Sequence, residues 1–209
     1  MLEVKQFIFG PFQTNTYVIT LPFRKGQGGG CLLIDPACSN TYEQQQLLDY
    51  ISNLKSQISN LQIVATHGHL DHLWGAHWAC EQWHTSVLMH PADIPMAQAM
   101  QQQYDMFGIR ATAQPFPIDS LKSSIINLKF EIINTPGHTP GSICLYWPDD
   151  NVLISGDTLF HMGYGRTDLP GGNTGQLIDS LEYLFTLPPA TRVYPGHGDT
   201  TTIAAERRY

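Results

Sequence analysis

Within seven residues, Thr66-His67-Gly68-His69-Leu70-Asp71-His72, the chain carries three histidines and one aspartate. They follow the apolar run Leu61 to Ala65, which reads as a strand. Imidazole nitrogen and carboxylate oxygen form a donor set suited to Zn²⁺, Fe²⁺ or Mn²⁺. Gly68 lets the backbone bend so that two rings can converge on one ion. His67 and His69, two apart, share one side of an extended segment. Asp71 and His72 come where a helix is about to start and face another direction. One ion would leave some of these groups idle, whereas two adjacent ions use them all. The bland alternative is a polar loop with surface histidines, a known hazard of short motifs.

Three later loops argue against that alternative. Thr135-Pro136-Gly137-His138-Thr139-Pro140-Gly141 is a tight turn around one histidine. Ile154-Ser155-Gly156-Asp157-Thr158 ends an apolar strand in an aspartate. Tyr194-Pro195-Gly196-His197-Gly198-Asp199 ends another in a histidine. Each places one ligand-type side chain beside glycine at a strand end, where loops carry chemistry on a rigid frame.

The chain has 209 residues, which suits one domain with a sizeable core. A hydrophobic content of 42% and a charged content of 14% fit a soluble globular protein. Eleven basic residues against 18 acidic give a net charge of −7. With no basic stripe to neutralise phosphates, neither nucleic acid nor an anionic membrane is an expected partner. The N-terminus alternates like a strand and lacks the pattern of a signal peptide, so cytoplasmic residence is the default expectation. Cys31, Cys38, Cys80 and Cys144 form no close-spaced pair and read as small core residues.

In order, residues 2–9 and 14–20 read as strands joined by a turn at Gly10-Pro11-Phe12. Residues 24–30 read as a glycine-rich hairpin loop, and Cys31 to Ile34 as a short strand ending at Asp35-Pro36. A helix is expected from Ser39 to about Lys55, capped by Ser39 or Asn40, with Leu47, Leu48, Ile51 and Leu54 at helical spacing. The spacing predicts a second helix over about 72–83 and a strand around 86–89. Residues 91–108, rich in Met and Gln, suit an irregular helical lid or, equally, a solvated helix with a soft apolar face. Strands follow near 125–128, 130–134, 142–147 and 152–156. A helix at 173–186, a strand at 192–195 and a short terminal helix complete the chain. Strands then helices, twice over, suggest an α/β (α+β) sandwich of two mixed β-sheets with helices outside.

Taken together, the four loops closely resemble those of the metallo-β-lactamase fold hydrolases, specifically the compact, single-domain glyoxalase II-like (hydroxyacylglutathione hydrolase-like) branch. The resemblance runs from Pro11-Phe12-Gln13-Thr14-Asn15-Thr16-Tyr17 to Pro195-Gly196-His197-Gly198-Asp199-Thr200 and includes Gly163-Tyr164-Gly165-Arg166-Thr167-Asp168-Leu169-Pro170-Gly171-Gly172. It implies a four-layer αββα sandwich, and a single domain over 1–209 without the C-terminal helical domain that grips glutathione in larger relatives. It also implies two divalent ions, zinc by preference, with iron or manganese as alternatives. One ion would sit on His67, His69 and His138 and the other on Asp71, His72 and His197, with Asp157 bridging them. Two cations against two carboxylates and a hydroxide leave a net positive site, suited to a developing oxyanion or thiolate. The implied reaction is hydrolysis of a small-molecule thioester, S-lactoylglutathione or a related 2-hydroxyacyl thioester. The nucleophile would be a metal-bridging hydroxide, with Asp71 both binding metal and orienting it.

Arg166 stands where larger relatives have a basic glutathione contact. It can bind a substrate carboxylate or form a structural salt bridge with Asp168. At the positions of their tyrosine contacts stand Asp168 and Asp199, which leaves the thiol carrier open. His161 is a candidate for the pocket rim, whereas His77, His84 and His90 read as surface or helix residues, and Trp74, Trp78 and Trp83 as packing. The rival reading is a persulfide (sulfur) dioxygenase of the same fold, with a mononuclear Fe²⁺ on His67, His69, His138 and Asp157; the Leu169-Pro170-Gly171-Gly172 continuation favours the hydrolase.

Overall fold

The computed structural model describes residues 2–20, 30–54, 60–121 and 130–207. Residues 24–29 of the loop expected over 24–30, the strand near 125–128 and the end of the first helix at Lys55 lie outside the described residues, and Gly30 already belongs to a strand. The chain forms two compact units: Met1–Ala65, His69–Leu88 and Met96–Asp119 make the first, and Thr66–Gly68, Met89–Pro95 and Ser120–Tyr209 the second.

The first unit is built on a six-stranded mixed sheet in simple sequence order, β1 (Glu3–Phe9), β2 (Thr14–Thr20), β3 (Gly30–Ile34), β4 (Asn60–Val64), β5 (Val87–Met89) and β6 (Ile118–Ser120). β1, β2 and β3 pair antiparallel, with Glu3 opposite Thr20 and Tyr17 opposite Ile34; β3, β4 and β5 run parallel. Cys31-Leu32-Leu33-Ile34 is buried throughout, the continuous apolar run expected of an interior parallel strand. Edge strand β1 alternates in exposure and carries Lys5, which discourages pairing with another chain.

Helix α1 (Thr41–Asn53) starts where the sequence puts it. Asn40 Oδ1 accepts from Tyr42 N and Glu43 N, at 3.1 and 3.0 Å. Ser39 plays a different part: its amide donates to Glu43 Oε2 at 2.6 Å, and Glu43 Oε1 accepts from Gly10 N at 3.0 Å. The first helical turn thus braces the β1–β2 turn.

The helix expected over 72–83 is two helices, α2 (Leu70–Leu73) and α3 (Ala76–Trp83). α2 begins earlier because Gln103 Oε1 accepts from Leu70 N at 2.9 Å and takes the place of a cap that His69 does not supply. The break comes at Gly75, whose amide donates to Pro36 O at 2.8 Å. A Cβ there would stand 2.3 Å from Cys38 Sγ and under 3 Å from two backbone oxygens, so only glycine admits this approach. Trp74 packs on Phe12 and Tyr104, and Trp78 on Trp83, as expected of packing residues. The segment 91–108 is indeed irregularly helical, a 3₁₀ turn at Pro91–Asp93 followed by α4 (Ile94–Gln98) and α5 (Met100–Met106).

The second unit carries a five-stranded mixed sheet. Its strands are β7 (Glu131–Asn134), β8 (Ile143–Trp147), β9 (Val152–Gly156), β12 (Arg192–Pro195) and β13 (Thr201–Thr202), in the order β13-β12-β9-β8-β7. β9 and β12 are parallel and the other pairs antiparallel. β10 (Leu159–Phe160) and β11 (Gly163–Tyr164) form a small hairpin. Helix α6 (Thr174–Leu184), capped by Asn173, contributes Leu177, Leu181 and Leu184 to a core with Ile133, Leu153, Val193 and Ile203, the last from α7 (Ile203–Glu206). Among the described residues, no helix is long and apolar enough to cross a membrane.

Gly75→Ala should destabilise the protein by about 2 kcal/mol, the range of a core overpacking. Asn40→Ala, which removes a cap, should cost about 1 kcal/mol. Urea unfolding midpoints measure both, and equal midpoints for wild type and Gly75→Ala would contradict the close approach.

Candidate metal centre

Each candidate ligand follows the C-terminal end of a strand or opens the next helix. β4 runs into Thr66 to His69, and α2 carries Asp71 and His72. β7, β9 and β12 run into the segments bearing His138, Asp157 and His197. Strand ends are rigid, so side chains just beyond them are held in register by the sheet. Within the second unit, ligand atoms of His67 lie within 4.8 Å of those of His138 and of Asp157, and within the first unit those of Asp71 and His72 approach one another equally closely. Of the seven residues singled out in the sequence, His67, His138, Asp157 and His197 lie in the second unit and His69, Asp71 and His72 in the first.

The second unit holds the sharper geometry. Asp157 Oδ2 lies 3.5 Å from His138 Nε2 and 3.6 Å from His197 Nε2. These separations are long for hydrogen bonds. Two ligands about 2.0–2.1 Å from a common ion at the tetrahedral angle stand roughly 3.3–3.4 Å apart, so the spacings suit coordination better. His138 Nδ1 donates to Arg166 O at 2.7 Å. A carbonyl only accepts, so Nδ1 carries the proton and the neutral ring presents its lone pair at Nε2. His67 pairs its Nδ1 with Thr66 Oγ1 at 3.1 Å, and its ring stands 4.8 Å from that of His138, edge to face.

The first unit repeats the pattern. His72 Nδ1 donates to Asp35 Oδ2 at 2.8 Å, both side chains buried, and Nε2 faces Asp71 Oδ2 at 3.5 Å. Thr14 Oγ1 donates to Asp71 Oδ2 at 2.9 Å. A histidine whose outer nitrogen is tied to a carboxylate or carbonyl has its tautomer and ring plane fixed for coordination. The residues therefore fit a divalent metal in donor type, spacing and tautomer.

Asp35, Thr14, Gln103 and Asp93 are supporting residues that motif reading passed over. Asp35 had a signal, a carboxylate ending a buried strand; its φ of +52° is unusual for a residue other than glycine. Thr14 lay inside a quoted motif without a role. Nothing local marks Gln103 or Asp93.

The remaining candidates fall outside these groups. Arg166 is engaged by Asp168 in a bidentate pair, Nε to Oδ1 and Nη2 to Oδ2, both 2.6 Å. The two side chains are 57% and 66% exposed. The guanidinium holds the Asp168 carboxyl down to about 2. Because its pKa is depressed, the pair persists above that value and is lost only as pH falls through it. His161 is exposed. His77 Nδ1 donates to Pro115 O, His84 takes a left-handed cap at the end of α3, and His90 Nδ1 accepts from Ala92 N. The four cysteines are buried free thiols, as expected of core residues. Burial pushes Cys31 and Cys38 up to about 12, and Cys80 and Cys144 up to about 11, so none is a thiolate nucleophile near neutral pH.

Comparison with known proteins agrees with this geometry. The family model of the Metallo-beta-lactamase superfamily matches residues 9–197. The probable metallo-hydrolase YqgX of Bacillus subtilis is 35% identical over 206 residues, covering 95% of this chain and 91% of that protein. The hydroxyacylglutathione hydrolase GloC of Haemophilus influenzae is 33% identical over 187 residues, 84% of each chain. Among solved structures, TTHA1623, crystallised in a di-iron-bound form, superposes with a TM-score of 0.82 at 33% identity, covering 98% of this chain and 97% of that one. Its two mixed sheets, its helices and its clustered histidines and aspartates all agree with that match, and the chain belongs to the metallo-beta-lactamase superfamily of metallo-hydrolases.

Proposed function

We propose that this protein is a binuclear metallohydrolase of small-molecule thioesters, with S-lactoylglutathione or a related 2-hydroxyacyl thioester as substrate. The observation that carries the proposal is Asp157 Oδ2 standing at ligand spacing from both His138 and His197, the arrangement a bridging carboxylate requires. Likeness to a protein named as a hydroxyacylglutathione hydrolase supports the substrate class.

In this reading His67, His69 and His138 would hold one divalent ion and Asp71, His72 and His197 the other, with Asp157 shared and zinc the preferred metal. Bound divalent ions supply Lewis acidity at the thioester carbonyl and bring water's deprotonation near neutral pH. The chain's own residues position the reactants. The Thr14 hydroxyl fixes the Asp71 carboxylate, which orients the attacking water by accepting its hydrogen bond. Asp35 and the Arg166 carbonyl hold the His72 and His138 rings in the tautomer that aims Nε2 inward. Water adds across the C–S bond to give carboxylate and thiol, and no side-chain nucleophile takes part. Arg166 receives a substrate carboxylate by exchanging it for Asp168.

Zinc-reconstituted protein should release free thiol from S-lactoylglutathione, and Asp157→Ala should lose that activity by at least about 100-fold, as expected on losing a shared ligand. Retained activity in Asp157→Ala would remove the bridging role. One iron per chain, with persulfide-dependent oxygen uptake and no thiol release, would establish the dioxygenase reading instead. Asp168→Asn should lower KM for S-lactoylglutathione roughly two- to fivefold with kcat little changed, since it releases Arg166 from an exposed pair. An unchanged KM would take Arg166 out of substrate binding.

A further inference from the structure

We propose that Asp93 is a positioning residue that sets the separation of the two loops bearing His67 and His138, and so the affinity of one of the two metal sites. The proposal rests on the metal-binding reading above and adds a residue that takes no part in ligation.

Asp93 ends the 3₁₀ turn Pro91–Asp93 and is fully buried. Its Oδ2 accepts from Gly68 N at 2.8 Å and from Thr139 Oγ1 at 2.6 Å, and its Oδ1 accepts from Gly141 N at 2.6 Å. Gly68 lies between His67 and His69, and Thr139 follows His138. One carboxylate thus holds both loops through two backbone amides and a hydroxyl, by contacts 25, 46 and 48 residues apart in sequence. The Thr139 hydroxyl gives its proton to Asp93 and accepts from Ser142 Oγ at 2.7 Å, while Ser142 Oγ accepts from Thr139 N at 3.1 Å. At Gly141 a Cβ would fall 2.6 Å from Asp93 Oδ1, so glycine at this position is what lets the amide reach the carboxylate.

A buried carboxylate is stable only where donors replace water, and charge-assisted bonds of this length are stiff. Three such bonds converge on one side chain, whose Oδ2 touches the residues next to both His67 and His138. The rings of those histidines stand 4.8 Å apart. Among the described residues, Asp93 contacts Gly68, Thr139 and Gly141, whereas Asp71 is held by Thr14 and His72 by Asp35. The consequence is selective. Loosening Asp93 relaxes the His67–His138 site and leaves the Asp71–His72–His197 site intact.

Asp93→Asn tests this because asparagine cannot satisfy both glycine amides. In either orientation its NH₂ faces one of them. Thr139→Val is the milder variant, removing the hydroxyl's bonds to Asp93 and Ser142 and keeping both amide contacts. Asp35→Asn is the contrast, since Asp35 supports His72. The protein is stripped with a chelator and titrated with Co²⁺, with visible spectra and chelator competition resolving two binding steps. Asp93→Asn should weaken one step by about 10–100-fold, the usual effect of removing an outer hydrogen-bond partner. Thr139→Val should weaken the same step less, and Asp35→Asn the other step. Unchanged constants in Asp93→Asn, or an equal weakening of both steps, would overturn the proposal. If Asp93→Asn does not fold, Thr139→Val decides: a weakened single step supports the proposal and unchanged steps overturn it. Wild-type protein that binds no Co²⁺ would overturn the metal-binding reading and this inference with it, an outcome distinct from any difference between variants.

Discussion

Imidazole offers two nitrogens, and only one can face an ion at a time; the rest of this site depends on occupying the other. His138 spends Nδ1 on the Arg166 carbonyl, His72 on Asp35 and His67 on Thr66. Each partner belongs to the strand-end framework, so the ring plane is inherited from the sheet and not chosen by the metal. A ring anchored in this way has little left to order when an ion arrives, and preorganisation of this kind raises affinity by lowering the entropy lost.

The same logic explains why charge is buried here at all. Asp35 and Asp93 are carboxylates with 1% and 0% exposure. Asp93 accepts from Gly68 N, Thr139 Oγ1 and Gly141 N, Asp35 accepts from His72 Nδ1, and each ties a segment carrying candidate ligands to a distant one. Burying such groups is costly unless every lone pair is met. The fold meets that cost at two places where an apolar residue would fill the space equally well but could not hold an amide or an imidazole in a fixed direction.

Much of this was legible in the residues themselves. The four ligand-bearing loops stand out because histidine and aspartate beside glycine at strand ends is a rare combination, and within the second unit the structure brings His67, His138, Asp157 and His197 together. Buried strands such as β3 and the Asn40 cap follow from local pattern and local hydrogen bonding. What stayed hidden depends on partners far along the chain. Gln103 starts α2 from 33 residues away, and Asp93 reaches as far as 48. The split of α2 from α3 was marked by Gly75, but its cause, contact with Pro36 and Cys38, is tertiary. Strands β6, β10, β11 and β13 have two or three residues each, too few for any periodicity to register.

The Arg166–Asp168 pair has a further bearing on how the surface around the centre responds to its surroundings. With Asp168 titrating near 2, acidity in any ordinary range leaves the pair closed. Both partners face water, however, and an exposed ion pair is weakened by dissolved salt, whose screening length is about 8 Å at physiological ionic strength. The guanidinium is therefore released by mobile anions and not by protons.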